Sequence, residues 1–180
     1  MRPEERLRIS DIEKALTNLP EARRSVRILN GAAFEKILVA VDGSKNADRA
    51  AKIAVKLAER NAAELIVISV IPRPSYLFAP VSGAGIPPMG LGDYYTYATK
   101  DAEKCVNEGI SLAKARRVVA RGRVLKSSSV VQSITDYAKV HDVDLIVLGT
   151  RGLGGFDRLL LGSVSNGVVT HAHCSVLVVR

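Results

Sequence analysis

Tryptophan is absent from the 180-residue sequence, and the aromatic share is only 4%. A core without large rings must be filled by Val, Ile, Leu and Ala, which favours sheet and helix layers of the α/β kind. Only two cysteines occur, Cys105 and Cys174, so there is no disulfide framework. No apolar run approaches the ~18–20 residues that cross a bilayer. The charged residues 1–8 are not followed by the apolar segment of a secretory signal. The cytoplasm is the expected location. Two familiar phosphate-binding signatures are also missing. No Gly-Lys pair occurs, so there is no P-loop lysine. No G-x-G-x-x-G follows a strand either, because Gly152-x-Gly154 has Asp157 where the last glycine is needed. P-loop NTPases and ordinary Rossmann dehydrogenases are thereby disfavoured.

What is present is an ordinary globular composition, 47% hydrophobic and 24% charged, at a length that suits one domain. The formal net charge of +8 is unusual and attracts polyanions: nucleotides, nucleic acids or acidic lipids. Part of it is concentrated in residues 114–126, where Lys114, Arg116, Arg117, Arg121, Arg123 and Lys126 have no acid among them. Such a run is either a solvated basic face or a functional patch.

Residues 1–33 read as an appendage. Leu7, Ile12, Leu16 and Leu19 recur at near-helical spacing before Pro20 interrupts, which fits a docked helical extension or a mobile tail. From Phe34 the pattern is regular. Residues 36–41 (KILVAV) are a short apolar run suited to a strand buried on both faces. Ser44 is a good N-cap for the next helix, whose Ala47, Ala50, Ala51, Ala54, Leu57 and Ala58 form a narrow small-residue face. A second strand is expected over 64–71. Residues 72–99 hold five of the seven prolines and four of the five tyrosines, and read as a mobile insert more than a lid. The rest predicts a helix over 99–114, a weaker strand over 118–124, a helix over 129–140, a strand over 144–149, a helix over 163–171 and a strand over 175–179. Strict alternation of strand and helix implies a five-stranded parallel sheet with helices on both faces. Ligands of such sheets bind beyond the carboxyl ends of the strands, where the winding reverses.

The stretch after the 144–149 strand reads Gly149-Thr150-Arg151-Gly152-Leu153-Gly154-Gly155, and Gly162-Ser163 then opens a helix. Glycine lets backbone approach a ligand closely, and successive N–H groups in such turns make an anion-binding concavity. The helix start adds unpaired N–H groups and a favourable dipole. Two such cradles on one loop suit a di- or triphosphate; a plain flexible connection is the bland alternative.

The spacing Gly149-x2-Gly152-x9-Gly162-Ser163 resembles the G-x2-G-x9-G-[S/T] motif of ATP-binding universal stress proteins, and the resemblance covers residues 34–180. It implies the Rossmann-like fold of the adenine nucleotide alpha hydrolase type. It also implies that Asp42 lies near the ribose and triphosphate, with Ala40 and Val41 lining the same pocket. Val70 matches the position whose backbone recognises adenine. Gly149, Gly152, Gly162 and Ser163 match the phosphate loop, with Leu148, Val164 and Ser165 beside it. Residues 176–179, from Val176 to the end of the strand at Val179, look like the edge that pairs across a two-fold axis in family dimers.

The expected cofactor is ATP, with Mg or Mn, since a cellular triphosphate carries a divalent ion and Asp42 could hold it. Binding is favoured over hydrolysis, because no group in the sequence orients a nucleophile, although Arg151 or Arg158 could neutralise charge. The leading expectation is a dimeric, nucleotide-responsive signalling module. A slow ATPase or phosphotransferase, an AMP or cyclic-nucleotide binder, and a polyanion binder are the alternatives. His171, His173 and Cys174 sit too close together on one turn to converge on an ion. Cys105 reads as buried more than reactive.

Overall fold

The computed structural model describes residues 33–73, 91–152 and 161–180. The expected extension over residues 1–32, the proline-rich residues 74–90, and residues 153–160 of the glycine loop, with Arg158 among them, lie outside the described residues. Within the unit Phe34–Arg180, β1 (Lys36–Ala40), β2 (Glu64–Pro72), β3 (Ala120–Ser127), β4 (Leu145–Gly149) and β5 (Ser175–Val179) form one sheet in the order β3-β2-β1-β4-β5. All four pairings are parallel. The helices α1 (Lys45–Asn61), α2 (Leu91–Ala115), α3 (Val130–Val140) and α4 (Ser163–His171) are the crossovers that parallel neighbours require. The architecture is the one the alternation implied.

Side-chain alternation along the strands divides the core in two. Ile37, Val39, Leu65, Val67 and Val147 pack with the alanine face of α1 and with Val106 and Ala113 of α2. Leu38, Ile66, Ile68, Ile146 and Leu148 pack with Ile134 and Ala138 of α3 and Val168 of α4. Each fully buried Leu or Ile contributes roughly 1.5–3 kcal/mol through removal from water, so the central strands are the main source of stability.

Small residues set how closely the helices lie on the sheet. Ala50 and Ala54 of α1 are 0% exposed. On α2, Gly109 lies so near β2 that a Cβ there would be 2.8 Å from Val67 Cγ1. The reciprocal contact is Gly122 of β3, which is covered by Val106 and Ile110 of α2. As expected, Ser44 caps α1, its hydroxyl accepting from the Ala47 amide at 3.2 Å.

The larger departures from the sequence expectation lie in α2, β3 and the end of β2. Helix α2 begins at Leu91, not near residue 99, so the last third of the proline- and tyrosine-rich stretch is helical. A tertiary contact accompanies that early start: Tyr94 donates its hydroxyl to the Pro72 carbonyl at the end of β2. Strand β3 runs over 120–127 instead of 118–124, in register with β2 from Leu65↔Ala120 to Pro72↔Ser127. Strand β2 correspondingly continues to Pro72, one residue beyond the expected limit and two beyond Val70.

Candidate functional site

The chain winds outward from β1 through β2 to β3, then returns to β1's other side to place β4 and β5. The reversal falls between β1 and β4, and the crevice beyond their carboxyl ends is where a parallel sheet presents a ligand site. Asp42 follows β1, and Gly149 to Gly152 leave β4.

Each glycine there answers a close approach. A Cβ on Gly149 would lie 2.8 Å from the Asn46 carbonyl carbon and 2.9 Å from the Ala47 amide nitrogen, so only glycine lets β4 end against the first turn of α1. A Cβ on Gly152 would collide with Asp42 Oδ2. A Cβ on Gly162 would sit 3.2 Å from the Thr150 carbonyl oxygen and 3.5 Å from Arg151 Cα. Asp42 itself is exposed, and its Oδ1 accepts from the Ser44 amide at 3.0 Å across a turn in which Gly43 has φ +82°.

Hydrogen bonds tie the loop to three elements. The carbonyl of the buried Thr150 accepts from the Gly162 amide and from the Ser165 hydroxyl, both at 2.7 Å, which closes the neck of the loop. The Thr150 amide donates to the Val179 carbonyl at 2.7 Å. The Arg151 carbonyl accepts from Ser44 Oγ at 3.3 Å and from Asn46 Nδ2 at 3.4 Å.

Helix α4 opens with Gly162 as N-cap, which supplies no side-chain bond, and its first internal bond runs from the Asn166 amide to the Gly162 carbonyl at 2.9 Å. The amides of Ser163, Val164 and Ser165 precede that bond, and a helix start of this kind favours an anion through its donors and its dipole. Ser163 and Val164 are exposed. Ser165 is buried with its hydroxyl spent on Thr150, so only its main chain can serve a ligand.

The structure therefore brings Asp42 against Gly152, and Gly162 with the start of α4 against Thr150 and Arg151, at the carboxyl ends of β1 and β4. Val41 and Leu148 put their side chains into opposite cores, so they too would offer main-chain groups. Ala40 is half-buried and pairs with Ile68, while Val70 is half-buried on β2 and pairs with Leu125 of β3. Sequence reasoning used Ser44 only as a helix cap and passed over Asn46 and Thr150. Their roles depend on partners more than a hundred residues away for Ser44 and Asn46, and no local pattern signals that.

The remaining candidates fall elsewhere. The basic run divides: Lys114 lies in the last turn of α2, Arg116 pairs with Glu59 at 3.4 Å, and Arg121 pairs with Glu64 at 2.8 Å. Strand alternation turns Arg121 and Arg123 to the opposite side of β3 from Lys126, which lies 5.2 Å from the Tyr95 ring centre. Cys105 is half-buried beside Gly43, and its thiol is pushed up by burial first and then by the charges of Glu108, Asp42, Asp48 and Asp101. An open groove of about 850 Å³ runs between α1 and α2 past Val41, Ala51, Cys105 and Gly109, and none of the site glycines lines it. His171 Nδ1 lies 2.8 Å from the Gly167 carbonyl. Among the described residues, no three His, Cys, Asp or Glu are grouped to hold a metal ion, and no helix is long and apolar enough to cross a membrane.

Comparison with known proteins agrees with this fold. The family model described as the universal stress protein family matches residues 33–180. A Staphylococcus saprophyticus protein assigned to the universal stress proteins is 33% identical over 158 residues, covering 82% of this chain and 84% of its own. Among solved structures, universal stress protein UspA from Lactobacillus plantarum is similar with a TM-score of 0.64 and 28% identity, over 81% of this chain and 97% of that one. A universal stress protein in complex with cAMP has a TM-score of 0.60 and 25% identity, over 82% of this chain and 98% of its own. Sheet order, crossover pattern and sequence match all lead to one assignment: the chain belongs to the universal stress protein family.

Proposed function

We propose that the chain binds ATP in the crevice between Asp42 and the glycine loop, and that it acts as a dimeric module whose occupancy is read by partners in a stress response. The observation that carries this reading is the missing Cβ at Gly152, which leaves main chain directly against the Asp42 carboxylate at the point where the sheet winding reverses. The Gly162 amide donates to the Thr150 carbonyl two residues before Gly152, which ties the start of α4 to the same loop. Donors from two directions suit a chain of phosphoryl groups better than a single anion. The complex of a similar universal stress protein with cAMP supports an adenine nucleotide as the ligand class.

A carboxylate beside phosphates repels them unless a cation intervenes. Asp42 is therefore the residue that would hold Mg or Mn, and such an ion would neutralise triphosphate charge. Asp42 Oδ1 already accepts from the Ser44 amide at 3.0 Å, which fixes the carboxylate against the start of α1. Binding is preferred to hydrolysis because no group in the sequence orients a nucleophile. The dimer would form through β5, which lies at one edge of the sheet with Val176, Leu177 and Val178 half-buried and no charged residue in the strand.

Two measurements test the reading. Mass spectrometry of small molecules released on denaturation should find an adenine nucleotide. Millimolar Mg-ATP should raise the melting temperature, with AMP and cAMP titrated alongside; ligand at a hundred times its Kd contributes about 2.7 kcal/mol. Absence of both released nucleotide and thermal stabilisation by any of the three would overturn it.

A further inference from the structure

We infer that Ser44 and Asn46 are positioning residues that set the orientation of the Arg151–Gly152 peptide, so that the Gly152 N–H is presented to bound phosphate; the inference rests on the nucleotide reading above. A trans peptide points its C=O and its N–H in opposite directions. The Arg151 carbonyl is drawn toward α1 by Ser44 Oγ and Asn46 Nδ2. The N–H of the same peptide, which belongs to Gly152, therefore points away from α1. The peptide lies between the first turn of α1 and the start of α4, since Gly162 is packed near Arg151 Cα.

The two anchors are themselves oriented. Ser44 Oγ accepts from the Ala47 amide, which leaves its own proton free to be donated to the Arg151 carbonyl. Asn46 is brought within reach because Gly149, having no Cβ, packs against its backbone. Glycine at position 152 makes such anchoring necessary. Without a Cβ, both orientations of the preceding peptide are sterically accessible. A flipped peptide would turn a carbonyl oxygen toward the phosphates and leave Ser44 Oγ and Asn46 Nδ2 without that acceptor. The anchors thus decide whether the loop offers a donor or an acceptor to an anion.

The test is the double variant Ser44→Gly/Asn46→Ala. Glycine is a serviceable N-cap, so α1 is retained, which circular dichroism checks. ATP and adenosine affinities are measured by calorimetry on the full chain. ATP affinity should fall tenfold or more while adenosine affinity changes less than twofold. In the Asn46→Ala background, Ser44→Thr keeps a hydroxyl and should retain most of the ATP affinity that the double variant loses. An unchanged ATP affinity, or equal losses for ATP and adenosine, overturns the inference. A wild-type protein that binds neither ligand overturns the nucleotide reading instead. The anchoring is then still decided by amide NMR of the ligand-free protein: the Gly152 amide resonance should differ between wild type and double variant, and an unchanged resonance overturns it.

Discussion

Gly152 stands against Asp42 so closely that a Cβ at position 152 would require the carboxylate Oδ2 to move. Two segments separated by more than a hundred residues thus share one small volume, and the acid and the loop backbone can address a ligand together. Replacing Gly152 with Val should push Asp42 and the loop apart. The expected result is a loss of ATP affinity of about tenfold or more, at least ~1.4 kcal/mol, with far-UV circular dichroism unchanged. Calorimetry on the folded variant checks it, and undiminished binding would place the ligand elsewhere.

A different glycine governs stability. Gly122 of β3 is covered by Val106 and Ile110 of α2, with a Cβ there only 2.7 Å from Ile110 Cδ1. Gly122→Val should force α2 off the sheet edge and cost about 1–3 kcal/mol, the usual range for overpacking. Urea denaturation would show a lower midpoint. Nucleotide affinity should change little, since β3 lies two strands away from β1.

Asp144, just before β4, gives a pH signature. Burial pushes its carboxyl up, and the charge of Glu35 adds to the shift, while amide bonds from Glu35 and Lys36 to Oδ2 partly oppose it. Its Oδ1 is buried with no hydrogen-bond partner among the described residues. An acid whose folded pKa is raised binds its proton more tightly in the native state than in the unfolded chain. Its contribution is therefore most favourable at low pH and is lost as pH rises from about 4, the unfolded value, through the folded value. The difference in urea midpoint between wild type and Asp144→Asn should shift in favour of the variant across that window. A pH-independent difference would contradict the raised pKa.

The proposed dimer can be tested at β5. Val176→Lys puts a charge on the neutral edge strand, and sedimentation velocity should show the dimer of the wild type replaced by monomer. A wild-type protein that sediments as a monomer at high concentration would remove the dimer from the proposed function, while leaving the crevice untouched.

The buried centre of the sheet was legible because its strands carry uninterrupted apolar runs, and burial on both faces requires that of residues such as Leu38 and Ile146. The edge was harder to place. Strand β3 mixes Arg121, Arg123 and Lys126 with few apolar residues, so its limits follow from pairing with β2 and not from its own pattern. The early start of α2 was hidden for a related reason. Gly92 and a cluster of tyrosines weaken the helical signal, while the bond from Tyr94 to Pro72 is invisible along the chain. At the crevice, glycine spacing was readable because close approach demands one residue type. The donors of Ser44 and Asn46 were not, since serine and asparagine near a helix start have an adequate local explanation as caps.

The two margins of the sheet are chemically unlike. One carries exposed Arg121, Arg123 and Lys126, and the other is β5, which has no charge. Open-ended fibre growth by strand addition needs adhesion at both ends of every unit, and like-charged margins repel one another. A molecule with a single receptive margin can join one copy of itself and then has nothing left to offer a third. The cations of β3 would thus act as a stop that keeps self-association finite, whether or not they ever meet a partner of opposite charge.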